Sequence, residues 1–265
     1  MKQKIIFIAC FLLVTVVSFS QNKDLFQNKV FVYEGKELPY RILYPENYDV
    51  TKKYPLIMFL HGSGERGKDN ELQLVHGSSL FLKAENRKQF PAIVIFPQCP
   101  SNSFWATVKM DTTKLPLQLQ FDYTATPNWP LIAANELVKQ IATTEAVDKR
   151  RIYIGGLSMG GMGTFESVFR YPGLYAAALP ICGGGNTELY DERVKRTNFW
   201  VSHGAADAVV NVKLSRDMVN RLKEKGVRVT YSEYPGVNHN SWDNAFSEPD
   251  FLKWMFQQKR KKVKL

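Results

Sequence analysis

The chain has 265 residues, of which 45% are hydrophobic and 23% are charged, and its formal net charge at pH 7 is +10. This is the balance of an ordinary globular protein and excludes an intrinsically disordered chain. The length suits one large α/β domain, and no internal repeat, low-complexity block or Pro/Gly/Ser-rich linker divides it.

The first twenty residues differ in composition from the rest. Lys2 and Lys4 precede an apolar run over residues 5–17, and Ser18 and Ser20 follow as small residues with the spacing that a signal peptidase reads. Because the run is too short for a comfortable membrane span, we expect residues 1–20 to be a cleaved signal peptide, with an uncleaved anchor as the alternative. The mature chain, residues 21–265, is then a single secreted or periplasmic domain without stable membrane insertion.

Signal cleavage removes two lysines and no acidic residue, which lowers the net charge to +8. Much of the remaining excess lies in residues 259–264, KRKKVK, which we interpret as a solvated tail and not as a nucleic-acid contact. Cys99 and Cys182 also remain. They have no metal-ligand spacing, so no metal site is predicted; two buried thiols are expected, and a disulfide is the alternative in an oxidising compartment.

Residues 29–44 predict two antiparallel strands that are joined by a turn at Gly35 and Lys36. Further along, short apolar runs end in glycine, histidine or proline. Runs without polar alternation are typical of strands that are buried on both faces of a parallel sheet. These runs are residues 55–60, 92–96, 151–155, 176–181, 198–202 and 227–234.

Apolar residues at helical spacing predict helices over 131–145 and 212–225, the second ending at Gly226. Strands that alternate with helices indicate βαβ units and an open, doubly wound, mostly parallel α/β sheet. In such sheets the ligand site lies beyond the carboxyl ends of the strands. The glycine-rich and histidine-containing loops of this chain fall at those ends.

The segment GLSMG, residues 156–160, is a G-x-S-x-G motif between the strand over 151–155 and a helix predicted over 161–170. A serine on such a turn has a strained backbone, needs small neighbours and presents its hydroxyl at the head of a helix. The alternative is a glycine-rich turn with an incidental serine. The flanking strand and helix favour Ser158 as a nucleophile.

A serine hydroxyl is a weak nucleophile until a base takes its proton. On this type of fold the partners follow in the order serine, acid, histidine. Of the four histidines, His239 alone follows the last predicted strand, so it is the expected base. Asp207 follows the strand over 198–202 and is the expected acid. The rivals by order, in loops or helices and not at a strand end, are Asp191, Glu192 and Asp217.

Negative charge that develops on a carbonyl oxygen needs backbone donors. The amide of Met159, directly after the nucleophile, is one predicted donor. The second is predicted to be the amide of Ser63, because the glycines of the loop HGSGERG let it turn in close to the site.

Six segments together resemble secreted bacterial α/β-hydrolase-fold esterases: LHGSGERG, FPQCP with Trp105 shortly after, GLSMGGMGTFE, PICGGG, HGAAD and YPGVNHNSW. This group includes proteins described as predicted peptidases or as phospholipase/carboxylesterase-like. It is similar to the feruloyl and acetyl-xylan esterases of carbohydrate esterase family 1 and to polyhydroxybutyrate depolymerase-like enzymes. The resemblance covers residues 30–256 and implies an α/β-hydrolase catalytic domain that uses no cofactor.

Carried over position by position, the resemblance implies Ser158 as nucleophile, Asp207 as acid and His239 as base. It implies the amides of Ser63 and Met159 as oxyanion donors. Trp105 matches an aromatic residue that follows the PQCP turn, and we expect it to wall the substrate pocket. For Trp242 we expect the start of the final helix and inward packing.

The expected function is a serine carboxylesterase that acts through an acyl-enzyme on a small-molecule or polysaccharide-linked ester, with feruloyl or acetyl esters of plant cell-wall polysaccharide as the best candidates. One alternative is a peptidase of the prolyl-oligopeptidase type, although the chain has no room for the gating domain that such enzymes usually carry. Another alternative is a non-catalytic binding protein on a hydrolase fold.

Overall fold

Strands and helices alternate through most of the described chain, which runs over residues 23–260 of a computed structural model. The strands are β1 (Gln27–Tyr33), β2 (Lys36–Leu43), β3 (Tyr54–Leu60), β4 (Ile93–Pro97), β5 (Val108–Asp111), β6 (Gln118–Phe121), β7 (Val147–Leu157), β8 (Ala177–Ile181), β9 (Asn198–Gly204) and β10 (Val229–Tyr234). The helices are α1 (Ser78–Leu82), α2 (Ala84–Gln89), α3 (Trp129–Thr144), α4 (Met159–Arg170), α5 (Lys213–Glu224), α6 (Trp242–Ser247) and α7 (Phe251–Gln257).

Eight of these strands form one sheet in the order β1-β2-β4-β3-β7-β8-β9-β10. The N-terminal strands β1 and β2 are antiparallel, and β2 also runs antiparallel to β4. From β4 to β10 all neighbours are parallel. The predicted α/β-hydrolase fold, a mostly parallel sheet with an N-terminal antiparallel hairpin, is confirmed.

The sheet carries a hydrophobic core on each face, which explains why its strands do not alternate in polarity. In β3, Leu56, Met58 and Leu60 point into one core, while Ile57 and Phe59 point into the other. Helices α3, α4 and α5 cover the first face, and α1, α6 and α7 cover the second. Since both faces of β3 are buried, its apolar residues continue without polar alternation.

Two local features differ from the sequence prediction. The turn between β1 and β2 lies at Glu34 and Gly35, one residue earlier than predicted, and both residues have positive φ, as tight hairpin turns require. A second hairpin, β5–β6, was not predicted. Its strands are short and largely exposed, so they lack the apolar runs that mark the central strands.

The β5–β6 hairpin is held by hydrogen bonds at its base and near the start of β6. At its base, Thr107 donates from its backbone amide and its hydroxyl to the buried carboxylate of Glu166 on α4, at 2.5 and 2.7 Å. Near the start of β6, the amide of Leu117 donates to the carbonyl of Val209 at 2.9 Å. The residues between these anchors are mostly exposed, with Leu115 at 69%.

The two cysteines are free, buried thiols. Cys99 belongs to the core on one face of the sheet, and Cys182 belongs to the core on the other. The alternative of a disulfide between them therefore does not hold in this structure. The predicted signal peptide and residues 261–265 of the basic tail lie outside the described residues. Within residues 23–260, no helix is both long and apolar enough to cross a membrane.

Candidate active site

The site lies where the chain reverses its direction across the sheet. After β3 the chain adds β4 on one side, and it later returns to add β7 on the other side of β3. Such a reversal opens a crevice beyond the carboxyl ends of the two central strands. Ser158 directly follows β7, and Ser63 lies just beyond the end of β3.

Ser158 occupies a strained backbone conformation at the junction of β7 and α4. Its φ of 53° and ψ of −116° lie outside the regions that non-glycine residues favour. Its amide donates to the carbonyl of Ile181 on β8 at 2.9 Å, and its carbonyl accepts from the amide of Met162 at 3.0 Å. These bonds tie the residue to the sheet and to the helix, so its hydroxyl stands at the head of α4.

Two glycines allow the nucleophile turn to lie directly against the end of β3. A Cβ at Gly160 would fall on the carbonyl oxygen of Leu60, and one at Gly156 would come within 2.8 Å of the same oxygen. Neither glycine has a positive φ. They are required here for space and not for an unusual backbone conformation, because any side chain would push the turn away from β3.

The predicted triad residues form one hydrogen-bonded chain. His239 Nε2 lies 3.0 Å from Ser158 Oγ, and His239 Nδ1 lies 2.8 Å from Asp207 Oδ2. A carboxylate can only accept, so Nδ1 carries the proton and Nε2 is left to accept the serine hydroxyl proton. The structure thus brings together the three side chains in the order that general-base activation of a serine requires.

Asp207 is buried and is held by four hydrogen bonds. Its Oδ1 accepts from the amides of Val209 and Val210 at 2.8 and 2.9 Å, while its Oδ2 faces His203 and His239. Burial by itself would raise the pKa of the Asp207 carboxyl. The hydrogen bonds from His203, His239 and Val210 outweigh that effect and hold the pKa well below its usual range, so the carboxylate is ionised.

His203 is a residue that sequence reasoning left outside the site. Its Nε2 lies 3.0 Å from Asp207 Oδ2 and 3.0 Å from the carbonyl of Val210, and its Nδ1 lies 2.7 Å from Ser215 Oγ. Since two acceptors face Nε2, that nitrogen carries a proton. His203 therefore positions the acid. The signal was present in HGAAD, where a histidine precedes the acid by four residues at a strand end.

The rival acids lie elsewhere. Asp191 accepts the amide of Arg193 at the start of a short 3-10 turn, and its carboxylate is exposed. Asp217 pairs with Lys213 on the surface of α5 at 2.6 Å. Both side chains have local partners and no bond to a triad residue.

The two predicted oxyanion amides stand at helix starts beside the nucleophile. Met159 is the first residue of α4, so its amide has no acceptor within the helix. Ser63 opens the 3-10 turn Ser63–Glu65 after β3. A Cβ at Gly62 would come within 2.9 Å of Leu157 Cδ1, so this loop packs directly on the nucleophile turn. Their role as oxyanion donors stays a prediction.

His61 anchors the loop that carries Ser63, here called the oxyanion loop. Its Nδ1 donates to the carbonyl of Gly62 at 2.6 Å, and its Nε2 accepts from the amide of Cys99 at 3.0 Å. Burial disfavours the charged imidazolium and lowers the pKa of His61 to about 4. The ring is therefore neutral over the physiological range and holds one fixed tautomer.

The expectation that Trp105 walls the substrate pocket is wrong in this structure. Its side chain is 0% exposed, and its Nε1 donates to the carbonyl of His61 at 3.1 Å. The loop after β4 turns under the oxyanion loop, which places the indole against His61 and α4. Trp242 does begin a helix, as expected, but it is only partly buried, and its ring lies 5.6 Å from the ring of His239. The expected inward packing of Trp242 is confirmed in part, because its side chain contacts the core on the second face of the sheet, but the helix that it begins is α6 and not the final helix α7.

Comparison with known proteins agrees with the observed fold. The model of the phospholipase/carboxylesterase family matches residues 49–253, which is most of the chain. The chain belongs to this family. A curated relative, carboxylesterase SOBER1 of Arabidopsis thaliana, is 26% identical over 190 residues, which cover 69% of this chain and 82% of that protein.

Solved structures of esterases share the fold. A thermostable esterase is 37% identical, with a TM-score of 0.79 over 89% of this chain, which spans 64% of the length of that esterase. A ferulic acid esterase of Anaeromyces mucronatus, solved with ferulic acid, has a TM-score of 0.62 at 14% identity; the match covers 88% of this chain and 90% of that one. This family member is a serine hydrolase of the carboxylesterase type.

Replacing Asp207 should abolish most activity. Asp207→Asn keeps the size of the side chain but lets the amide group present a donor to His239, which favours the wrong tautomer; kcat should fall about 10⁴-fold. Steady-state hydrolysis of a 4-nitrophenyl ester measures the change. Asp191→Asn is the matched control and should be nearly silent. A large loss in the control with a small loss in Asp207→Asn would make the triad assignment wrong.

Replacing Trp105 should destabilise the protein. Trp105→Ala removes a fully buried ring and its hydrogen bond to His61, so the free energy of unfolding should fall by about 3–5 kcal/mol. Trp242→Ala should cost less, because that ring is partly exposed. Chemical denaturation of both variants measures the difference. Wild-type stability in Trp105→Ala, with a raised KM for aryl esters alone, would instead support a pocket wall.

The buried neutral His61 should make stability fall in mild acid. The unfolded chain takes up a proton near the ordinary pKa of 6.5, whereas the folded protein does so only near 4. Unfolding is therefore favoured as the pH falls through this interval, by about 3 kcal/mol at 1.36 kcal/mol per pKa unit. Denaturant titrations between pH 7 and 4 measure the slope. His61→Gln should flatten it, and an unchanged slope in that variant would contradict the assignment.

Proposed function

We propose that this protein is a secreted serine carboxylesterase that cleaves feruloyl or acetyl esters of plant cell-wall polysaccharide through an acyl-enzyme. The observation that carries the chemistry is the hydrogen-bonded chain from Ser158 through His239 to Asp207, with distances of 3.0 and 2.8 Å. A serine held by a histidine, which is in turn oriented by an ionised carboxylate, is the arrangement of an activated nucleophile.

In the acylation half of this mechanism, His239 Nε2 takes the proton of Ser158 Oγ as that oxygen attacks the ester carbonyl carbon. The carbonyl oxygen becomes an oxyanion, and the amides of Ser63 and Met159 donate to it. One such donor is typically worth about 10²–10³ in rate. The imidazolium of His239 is stabilised by Asp207. When the tetrahedral intermediate collapses, Nε2 gives its proton to the leaving alcohol oxygen, and the acyl group stays on Ser158.

In the deacylation half, a water molecule takes the place of the alcohol. His239 Nε2 removes a proton from it as the water oxygen attacks the acyl carbon, and the same amides hold the second oxyanion. Collapse of this intermediate breaks the bond to Ser158 Oγ, which takes back the proton. The carboxylic acid leaves, and the enzyme returns to its starting state.

Sequence motifs, the shared fold and the N-terminal segment all favour the proposed substrate. The motifs LHGSGERG, GLSMGGMGTFE and YPGVNHNSW resemble those of enzymes that act on feruloyl and acetylated polysaccharides. The fold is shared with a ferulic acid esterase. The proposed secretion rests on the charge and apolar pattern of residues 1–20. A secreted enzyme of this chemistry would meet polysaccharide outside the cell.

Activity-based labelling followed by a substrate panel tests the proposal. A fluorophosphonate probe should label the wild-type protein and should not label Ser158→Ala, because the probe reacts only with an activated serine. The panel then compares methyl ferulate and acetylated xylan with 4-nitrophenyl esters of different acyl length and with a peptide amide. Turnover of methyl ferulate or acetylated xylan is expected to exceed turnover of the peptide.

Three results would contradict the proposal in different ways. No labelling of the wild-type protein would indicate a binding protein on a hydrolase fold. Labelling with turnover confined to the peptide would indicate a peptidase. Hydrolysis of nitrophenyl esters without any activity on methyl ferulate or acetylated xylan would support carboxylesterase activity but would contradict the proposed polysaccharide substrate.

A further inference from the structure

Three polar side chains connect the oxyanion loop with the catalytic histidine along one side of the crevice. We propose that Glu65, His76 and Trp242, here called the polar arc, bind the leaving alcohol of the substrate, and that this alcohol is an uncharged sugar. The inference rests on the proposed function and assigns its alcohol subsite to named residues.

The contacts within the polar arc are continuous. The ring of Trp242 lies 5.6 Å from that of His239, in an edge-to-face arrangement, and 5.0 Å from the ring of His76. His76 Nε2 lies 3.8 Å from Glu65 Oε1. A Cβ at Gly62 would come within 3.0 Å of Glu65 Oε2, which places this carboxylate against the oxyanion loop. The polar arc therefore extends from the oxyanion loop to the catalytic histidine, His239.

The chemistry of ester cleavage puts the leaving alcohol on this side. The oxyanion has to face the amides of Ser63 and Met159, while the leaving oxygen has to receive a proton from His239 Nε2. Whatever is attached to that oxygen must then extend beside the imidazole of His239. Trp242 is the aromatic neighbour of that imidazole, so the alcohol meets the polar arc as it leaves.

The polar arc has unused hydrogen-bonding capacity. Between residues 23 and 260, no hydrogen bond reaches a carboxylate oxygen of Glu65, a ring nitrogen of His76 or the indole nitrogen of Trp242. All three side chains are partly exposed. They offer two acceptor oxygens, an imidazole and an indole donor around an aromatic face.

A sugar matches this set better than other alcohols. Its hydroxyls both donate and accept, and its C–H faces pack on aromatic rings, so it can satisfy Glu65, His76 and Trp242 at once. A hydrocarbon alcohol would desolvate the polar groups and leave them unpaired. An anionic alcohol would be repelled by the Glu65 carboxylate. A quaternary ammonium alcohol would suit Trp242 and Glu65 but would leave the hydrogen-bonding capacity of His76 unused.

Two acetyl esters that differ only in the alcohol test the inference: an acetylated methyl xyloside and ethyl acetate. Glu65→Gln and His76→Gln should each lose about tenfold more kcat/KM on the xyloside than on ethyl acetate, since one hydrogen bond of about 1.4 kcal/mol corresponds to tenfold. The loss should appear mainly in KM. Glu71→Gln is the control, because its exposed carboxylate pairs with Arg41 instead and should affect neither substrate.

Calorimetric measurement of methyl xyloside binding to Ser158→Ala gives a readout that needs no turnover. Binding is expected, and Glu65→Gln in the same background should weaken it. Equal losses on both esters, or absence of xyloside binding, would overturn the assignment of the polar arc as a sugar subsite. Continued hydrolysis of ethyl acetate would then still support carboxylesterase activity. Faster, Glu65-dependent hydrolysis of acetylcholine would overturn it in favour of a cationic alcohol. Failure of fluorophosphonate labelling would instead remove the proposed function itself.

Discussion

The contact on which the site depends is the one between the nucleophile turn and the end of β3. Gly160 and Gly156 bring this turn so close to the carbonyl of Leu60 that no side chain fits between them. The same closeness sets the separation between Ser158 and the loop of Ser63. The strain at Ser158 persists because the sheet on one side and α4 on the other fix its amide and its carbonyl.

Two buried histidines hold the loops that this contact brings together. His61 at the end of β3 and His203 at the end of β9 each precede a glycine, and each ring folds back to bind its own loop. His61 ties the oxyanion loop to Cys99, and His203 ties the acid loop to Ser215. Loops carry the reacting groups, but imidazoles buried at the carboxyl ends of β3 and β9 set where those loops lie.

The central strands and the triad were predictable because both follow from order along the chain. A buried strand needs a continuous apolar run, and a triad on this fold needs a serine, an acid and a histidine after successive strands. Order along the chain does not predict whether a tryptophan in a loop packs into the core or faces the site. Trp105 and Trp242 follow similar strand-end loops, and only the path of each loop decided which ring is buried. The β5–β6 hairpin escaped prediction since its stability comes from anchors distant in sequence, Glu166 and Val209.

The anchoring of the β5–β6 hairpin separates the residues that hold the hairpin in place from the residues that it exposes to solvent. One anchor is on the nucleophile helix and the other is two residues from Asp207, so the hairpin takes its position from the catalytic frame. Residues 111–115 between the anchors are exposed, and the side-chain hydrogen bonds of this stretch are local, between Thr113 and Asp111. Its length and composition can therefore diverge among descendants of one ancestor, or be exchanged in the laboratory, while the frame is inherited intact.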